Sequence, residues 1–225
     1  MIRRKLNADL AHELRSHISI ARGHAELIRA ENPGRQAAGD AEVILDELDR
    51  LSIVSDRLLL LSVTEHRRML RRAPVDVRHL VEDAAERWRG AGPRRWVVSV
   101  AADGTLLGDE GRLASALDML LENAVKFTSG GDRIALQVRP EGRDTAVIEV
   151  SDGGPGIPPE HLPRIFDRFF RAQNGGREGT GLGLPVVKAI VRAHHGSVTV
   201  KSEVGTGTTF EIRLRGFRRV GAATR

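Results

Sequence analysis

The stretch SDGGPGI, residues 151–157, follows a short run rich in β-branched residues, AVIEV at residues 146–150. The run predicts a strand, so the carboxylate of Asp152 stands at a strand end. The glycines after it let the backbone approach a ligand closely. The carboxylate could accept a hydrogen bond from an amino group such as that of adenine. Taken alone, the stretch is better explained as an ordinary surface turn.

A second glycine group, GTGLGL at residues 179–184, runs directly into a predicted helix at Leu182–His194. At such a helix start the free backbone N–H groups and the helix dipole face a phosphate. Glycine-rich turns before helices are common, so this signal is also weak by itself. A third turn, GTGT at residues 205–208, precedes the last predicted strand.

The segment ENAVKF, residues 122–127, ends a helix predicted at Arg112–Phe127. The amide oxygen of Asn123 can ligate Mg²⁺, and the ammonium of Lys126 can meet phosphate oxygens. Single Asn and Lys residues on helices are usually only solvated. The order is more informative than any one motif, because an Asn-bearing helix is followed by three glycine turns of the kind that bind nucleotides.

From Pro74 onward, short apolar runs alternate with amphipathic helical patterns. The predicted strands are Trp96–Val100, Ile134–Val138, Ala146–Val150, Ser197–Val200 and Thr208–Leu214, and the predicted helices are Val77–Arg89, Arg112–Phe127 and Leu182–His194. This pattern predicts an α+β fold in which helices cover one face of a mixed sheet, as in an α/β sandwich.

The first part of the chain has a different texture, since only three of the 24 glycines precede residue 90. Apolar residues at three- or four-residue steps predict one helix from Ile2 to Ala30 and a second from Asp40 to Glu65. Two helices cannot cover both of their apolar stripes, so we expect two hairpins to form a dimeric four-helix bundle. We predict four segments: a helical hairpin at 1–66, a linker at 67–73, an α/β domain at 74–216 and a basic tail at 217–225.

His12 lies in AHELRS, residues 11–16, within the first predicted helix. It is two residues from both Leu10 and Leu14, which is about 200° around a helix, so it points away from their apolar face. An exposed histidine is most often solvated and without function. The adjacent Glu13 could orient or deprotonate the imidazole.

The composition excludes several classes of protein. With 225 residues and 40% hydrophobic content, the chain can bury a core and is not a disordered tail. The absence of cysteine excludes disulfides and thiolate sites. The net charge of +5 is spread along the chain, so we expect no nucleic-acid partner. No apolar run reaches the roughly 18 residues that a membrane span requires.

Together, the helical hairpin and the ordered nucleotide motifs resemble the sensor histidine kinases of bacterial two-component systems, from about Arg4 to Leu214. The resemblance implies an ATP-dependent protein-histidine kinase that uses ATP and Mg²⁺. Such a kinase phosphorylates its own histidine and passes the phosphoryl group to an aspartate in the receiver domain of a response regulator, and it can also dephosphorylate the regulator. It implies a homodimer and a cytoplasmic location, with any membrane contact made through a sensor segment outside this chain.

The resemblance also implies roles for individual residues. His12 would be the phosphoacceptor and Glu13 its partner, with Ser16 aiding regulator dephosphorylation. Asn123 would be the Mg²⁺ ligand, Asp152 would read adenine, and Glu122 would polarise groups near the metal. The other residues that would shape the nucleotide pocket are Lys126, Phe127, Gly154, Gly156, Ile157, Thr180, Gly181, Leu182, Gly183, Leu184 and Thr208.

Three departures from the family pattern bear on activity. Ser16-His17 stands where Thr-Pro is usual, Met119 replaces a frequent asparagine, and Phe127 replaces a frequent tyrosine. His17 and Met119 leave open a first alternative, a degenerate ATP-binding dimerisation module. The nucleotide pocket also resembles the ATPase modules of type II topoisomerases and certain chaperones, which is the second alternative. The second alternative lacks the helix that carries His12.

Overall fold

A computed structural model describes residues 18–28, 30, 39, 41–48, 51, 53, 55, 70–171 and 180–220. The chain divides into two compact units, Met1–Val63 and Thr64–Arg225. In the first unit, residues 18–28 and 41–48 are helical, within the two helices that the apolar spacing predicts. The predicted stripes are partly buried, because Ile18 and Leu48 are buried whereas Ile44 and Leu51 are exposed.

The second unit has three helices and eight strands among its described residues. In chain order they are β1 (Ala73–Asp76), α1 (Val77–Arg89), β2 (Arg95–Val100), β3 (Gly104–Gly108), α2 (Glu110–Phe127), β4 (Arg133–Glu141), β5 (Thr145–Asp152), α3 (Gly183–Ala193), β6 (Ser197–Glu203), β7 (Gly207–Arg215) and β8 (Arg218–Arg219). A short 3₁₀ turn at Leu162–Arg164 lies between β5 and α3.

The strands form two sheets. The larger has the order β2-β4-β5-β7-β6, in which β2 and β4 are parallel and the other neighbours are antiparallel. The smaller has the order β1-β3-β8 and is antiparallel. The predicted α+β fold with a mixed sheet is thus confirmed.

The larger sheet has one apolar face and one charged face. Alternate residues along its central strands are buried with the helices, among them Leu136, Ile148 and Ile212. The opposite face carries cross-strand ion pairs, with Lys201 Nζ 2.6 Å from Glu211 Oε1 and Arg139 Nε 2.8 Å from Glu149 Oε1. This alternation follows from the two-residue repeat of a strand, which puts successive side chains on opposite faces.

The smaller sheet lies outside the sequence prediction, because its strands are too short to show alternation. The segment assigned to a basic tail begins with ordered structure. Phe217 is 2% exposed, and Arg218–Arg219 pair with β3. A side chain at Gly104 would collide with the Phe217 ring, only 2.6 Å from an added Cβ, so the glycine admits this aromatic residue to the core. The folded domain therefore extends past residue 216.

His194 ties the start of α2 to the end of α3. Its Nε2 accepts the backbone N–H of Asp109 at 2.9 Å, and its Nδ1 lies 2.9 Å from the carbonyl oxygen of Ile190. Asp109 is the N-cap of α2 and accepts the N–H of Arg112. Burial lowers the pKa of His194, so the ring is neutral and bridges the two groups. His194 is the C-cap residue of α3, where the sequence predicts that the helix ends.

We expect His194→Asn to lower the free energy of unfolding by about 1–3 kcal/mol at pH 8, because it leaves a buried N–H without its acceptor. The lowered pKa also implies that wild-type stability falls as the pH drops below about 6.5, since the unfolded histidine is protonated first. Urea unfolding at pH 8 and pH 5 measures both effects. His195→Asn is the matched control, because this neighbour is exposed and asparagine tolerates its φ of 59°. Equal losses in the two variants would contradict the bridge.

Candidate active site

Polar side chains form a row across the ends of three strands of the larger sheet. In the register of β5, β6 and β7, Asp152 lies opposite Thr208, and Thr208 lies opposite Ser202. They occupy the alternate positions that carry the apolar core further along the same strands, so they lie on the helix-covered face. The strand pattern therefore brings Asp152 and Thr208, both predicted for the site, next to each other.

The Asp152 carboxylate is partly withdrawn from water, because the residue is half-buried. Its Oδ1 accepts the backbone N–H of Gly154 at 2.9 Å. Burial raises the pKa of Asp152, while the N–H groups of Gly154 and Thr208 act in the opposite direction by hydrogen bonding to the carboxylate. A carboxylate that is half removed from water and has free lone pairs is suited to accept a hydrogen bond from a ligand.

The first glycine turn is packed against its neighbours through positions that exclude a side chain. A Cβ at Gly154 would lie 2.9 Å from the carbonyl oxygen of Phe127, at the end of α2. Gly156 has a φ of 73°, and a Cβ there would overlap the backbone carbonyl of Glu203. The N–H of Gly205 in the third turn donates to the Pro155 carbonyl at 2.8 Å. The first turn is therefore joined to both α2 and the third turn.

The predicted metal and phosphate ligands lie on the last two turns of α2. Glu122, Asn123 and Lys126 are half-buried, and Phe127 is 39% exposed with the Lys126 ammonium 5.3 Å from its ring centre. Met119 is buried on the same helix. The side chain at position 119, where the family often has asparagine, therefore packs in the core.

Arg94 holds the end of α2 in place. Its Nη2 donates to the carbonyls of Val125 at 2.8 Å and Thr128 at 3.1 Å, and its Nε donates to the Thr128 hydroxyl at 2.8 Å. These carbonyls belong to the helix terminus, where no intrahelical donor remains. Sequence reasoning missed Arg94, because nothing in an isolated arginine indicates a partner 31 residues away.

The second glycine turn leads into α3. Gly181 has a φ of 67°, and a Cβ there would lie 2.7 Å from the backbone of Phe169. The Phe169 N–H donates to the Gly181 carbonyl at 3.0 Å. Leu182 is buried, whereas Thr180, Gly183 and Leu184 are half-buried at the mouth of the helix. Gly179 lies outside the described residues.

An open cavity of about 640 Å³ lies at the strand ends, and its lining includes Asp152, Ser202 and Thr208. It also includes Ser151 and Thr209 from the opposite face of the sheet. Asn123 and Gly181 do not line it. The cavity therefore borders only the base-reading part of the predicted site.

The described residues hold no cluster of three or more His, Cys, Asp or Glu side chains that could bind a metal by themselves. Within the same residues, no helix has the length and apolar character needed to cross a membrane. His12, Glu13 and Ser16 lie outside the part of the chain that the structure describes.

Comparisons with known proteins identify relatives of the chain. Residues 108–216 match the family of histidine kinase-, DNA gyrase B- and HSP90-like ATPases. The chain is 34% identical over 217 residues to the probable sensor histidine kinase TcrY of Mycobacterium tuberculosis, covering 94% of this chain and 45% of TcrY. It is 33% identical to the sensor protein SrrB of Staphylococcus aureus, covering 92% of this chain and 37% of SrrB.

Two solved structures are similar. Full-length ShkA in complex with AMPPNP has a TM-score of 0.83 and 28% identity, over 98% of this chain and 47% of that one. The mycobacterial sensor histidine kinase MprB has a TM-score of 0.60 and 30% identity, over 66% of this chain and 99% of that one. The chain spans less than half the length of the curated relatives TcrY and SrrB. With nearly all of the MprB structure matched at this identity, the chain belongs to the sensor histidine kinase family.

Proposed function

We propose that the chain is the kinase core of a two-component sensor, which transfers the γ-phosphoryl group of ATP to His12. The observation that carries the proposal is the contact between the Asp152 turn and the end of α2. Gly154 lies against the Phe127 carbonyl, at the end of the helix that carries Asn123 and Lys126. A nucleotide whose base is bound at Asp152 would therefore extend toward that helix. Gly181 and the start of α3 supply backbone N–H groups for the phosphates.

The residues present fit a Mg²⁺ ion held together with a nucleotide. Mg²⁺ is usually bound by one or two protein oxygens, with substrate phosphates and waters completing the shell. The half-buried Asn123 amide supplies such an oxygen, with the Glu122 carboxylate beside it to polarise groups near the metal. The bound ion would neutralise charge on the phosphates.

The chemistry assigned to the histidine is a balanced phosphoryl transfer. A neutral nitrogen of His12 attacks the γ-phosphorus, the bond to the bridging oxygen breaks, and ADP leaves. Glu13 accepts the proton that the imidazole loses. The phosphoryl group then passes from nitrogen to an aspartate oxygen in a response regulator receiver domain. We place both reactions in the cytoplasm, where a membrane would be reached only through a sensor segment.

Incubation with ATP labelled at the γ-phosphorus tests the proposal. We expect label on the protein that is lost in acid and stable in base, as a phosphoramidate is. ATP hydrolysis without protein label would instead support another ATPase of this nucleotide-binding type. Nucleotide binding with neither label nor hydrolysis would support a degenerate dimerisation module. The similarity to sensor kinases across 94% of the chain favours the kinase.

We propose that the first unit is a dimerisation unit. Among its described residues, large apolar side chains remain more than 40% exposed at Ile20, Leu27, Ile28, Val43, Ile44, Leu51 and Ile53. A second hairpin would cover such a face in a four-helix bundle. Light scattering should give twice the chain mass of 24.6 kDa. A single-chain mass at high micromolar concentration would exclude the homodimer.

The Asp152→Asn variant is expected to bind ATP more weakly by about 1.5–3 kcal/mol, the range for a hydrogen bond to a charged group. The same variant is expected to be more stable than wild type at neutral pH. The raised pKa of Asp152 means that burial of the charged carboxylate opposes folding, and asparagine removes that charge. Wild type should lose stability relative to the variant as the pH rises from about 3.9 through the raised pKa. Calorimetry and thermal unfolding at pH 4 and pH 7 measure both. Asp144→Asn, in the exposed turn between β4 and β5, is the control; ATP affinity equal to wild type in Asp152→Asn would remove Asp152 from the base site.

Ser16 follows His12 by four residues, about one helical turn along the same face. We expect Ser16→Ala to preserve phosphorylation of His12 and to slow dephosphorylation of the regulator, because the hydroxyl would orient the attacking water and not ATP. The decay of phosphorylated regulator with ADP present, followed for wild type and the variant, measures this effect. Superimposable decay curves would leave Ser16 with no role in the reaction.

A further inference from the structure

Ser202 makes three hydrogen bonds, and the chemistry of its partners determines which group donates in each. Its Oγ accepts the backbone N–H of Ile157 at 2.8 Å and lies 2.9 Å from the carbonyl oxygen of Gly207. It also lies 2.9 Å from the hydroxyl of Thr208. A serine hydroxyl has one proton and two lone pairs. The Gly207 carbonyl can only accept, so the Ser202 proton goes there.

The Thr208 hydroxyl is left with one role in this network. Since the Ser202 proton is used, the hydrogen bond between the two hydroxyls must run from Thr208 to Ser202. The Thr208 proton is then directed away from the ligand, and its oxygen presents only lone pairs. Its cross-strand neighbour Asp152 also only accepts hydrogen bonds when ionised. Both residues line the cavity at the strand ends.

We propose that Ser202 is a positioning residue that makes Thr208 an obligate hydrogen-bond acceptor, so that the Thr208–Asp152 pair selects a 6-amino purine over a 6-oxo purine. The proposal rests on the proposed ATP site. The 6-amino group of adenine donates two hydrogen bonds, whereas the oxygen of a 6-oxo purine would face two acceptors. A site with a fixed hydrogen-bond polarity rejects the wrong partner strongly, because its buried groups are left unpaired.

A purely structural role for Ser202 is the alternative, because the same hydrogen bonds join the first glycine turn to the hairpin of β6 and β7. The two roles predict different changes in the ratio of the dissociation constants for a 6-oxo and a 6-amino purine nucleotide. Loss of a structural support would weaken all nucleotides by the same factor. Without Ser202 as its acceptor, the Thr208 hydroxyl could instead rotate and donate to a 6-oxo group. Binding of the 6-oxo purine would then approach that of the 6-amino purine.

Calorimetric titration with ATP and ITP, each with Mg²⁺, measures this ratio, because ITP carries oxygen in place of the 6-amino group. We expect Ser202→Ala to lower the ratio of the ITP and ATP dissociation constants about tenfold, the equivalent of one hydrogen bond. Ser202→Thr retains the hydroxyl and should retain the ratio. Ser197→Ala, exposed on the same strand, is the matched control.

A second variant tests whether the effect passes through Thr208. In a Thr208→Val background there is no hydroxyl to release, so adding Ser202→Ala should leave the ratio unchanged. The same drop in both backgrounds, or an equal weakening of ATP and ITP by Ser202→Ala, would overturn the proposal while leaving the ATP site intact. A wild-type protein that binds neither nucleotide would overturn the proposed function as well.

Discussion

Replacing His12 with glutamine is expected to abolish the transfer of labelled phosphate from ATP to the protein. Glutamine keeps a polar side chain of similar length but has no nucleophilic nitrogen, since the amide lone pair is delocalised. ATP affinity should be unchanged, because the proposed nucleotide residues all lie beyond residue 120. Autoradiography after a fixed incubation measures the label, and calorimetry measures ATP binding on the same sample.

His17 provides the matched control, because it is five residues further along the same predicted helix. That spacing is about 500° of rotation, which places it about 140° away around the helix. His17→Gln should therefore retain label. If His17→Gln were inert while His12→Gln remained active, the phosphoacceptor would be His17.

The Asn123→Ala variant is expected to lose phosphorylation entirely while keeping its fold. The amide is half-buried on α2 and supplies the one neutral protein oxygen proposed for Mg²⁺, so its removal leaves the metal without that ligand. Circular dichroism should be unchanged, because alanine favours a helix more than asparagine does. The measurement is the initial rate of label incorporation at several Mg²⁺ concentrations.

Ser115→Ala is the control on the same helix, two turns earlier. Among the described residues, the Ser115 hydroxyl donates only to the Gly111 carbonyl of its own helix, at 2.8 Å, so its loss should not affect the rate. A wild-type rate in Asn123→Ala would mean that the metal is held elsewhere and that the site at the end of α2 is misassigned.

Periodicity was enough to predict the elements that span a face of the core. The helix Val77–Arg89 has the predicted bounds, because its apolar residues repeat at helical spacing and Asp76 caps its start. The strands β4 and β5 extend past their predicted ends, because residues such as Arg139 and Ser151 interrupt the apolar runs but still pair with the neighbouring strand. The short strands β1 and β8 contain too few residues to show a pattern, and their pairing with β3 comes from the tertiary fold.

The proposed site also contains residues that the sequence could predict and residues that it could not. Asp152 and the glycines could be predicted, because a turn that excludes side chains leaves a local signature in sequence. Arg94 could not be, because its partner carbonyl at Val125 is 31 residues away. Ser202 could not be, because its partners Thr208 and Ile157 lie 6 and 45 residues away and are brought together by strand pairing and the tertiary fold. At position 119 the sequence shows the departure from the family pattern but not its reason. The reason is seen in the structure, where Met119 is buried.

The packing of Phe217 against Gly104 bears on where a recombinant fragment should be cut. The matched family region runs from residue 108 to residue 216, which suggests natural cloning boundaries. A fragment with those ends would lack α1 and β2, and with them the buried Leu80 and Val81. It would also lack Gly104 and nearly all of β3, and it would stop one residue before Phe217, whose ring packs beside that glycine. A fragment for crystallisation or for a C-terminal affinity tag is better drawn from before Ala73 to after Arg219.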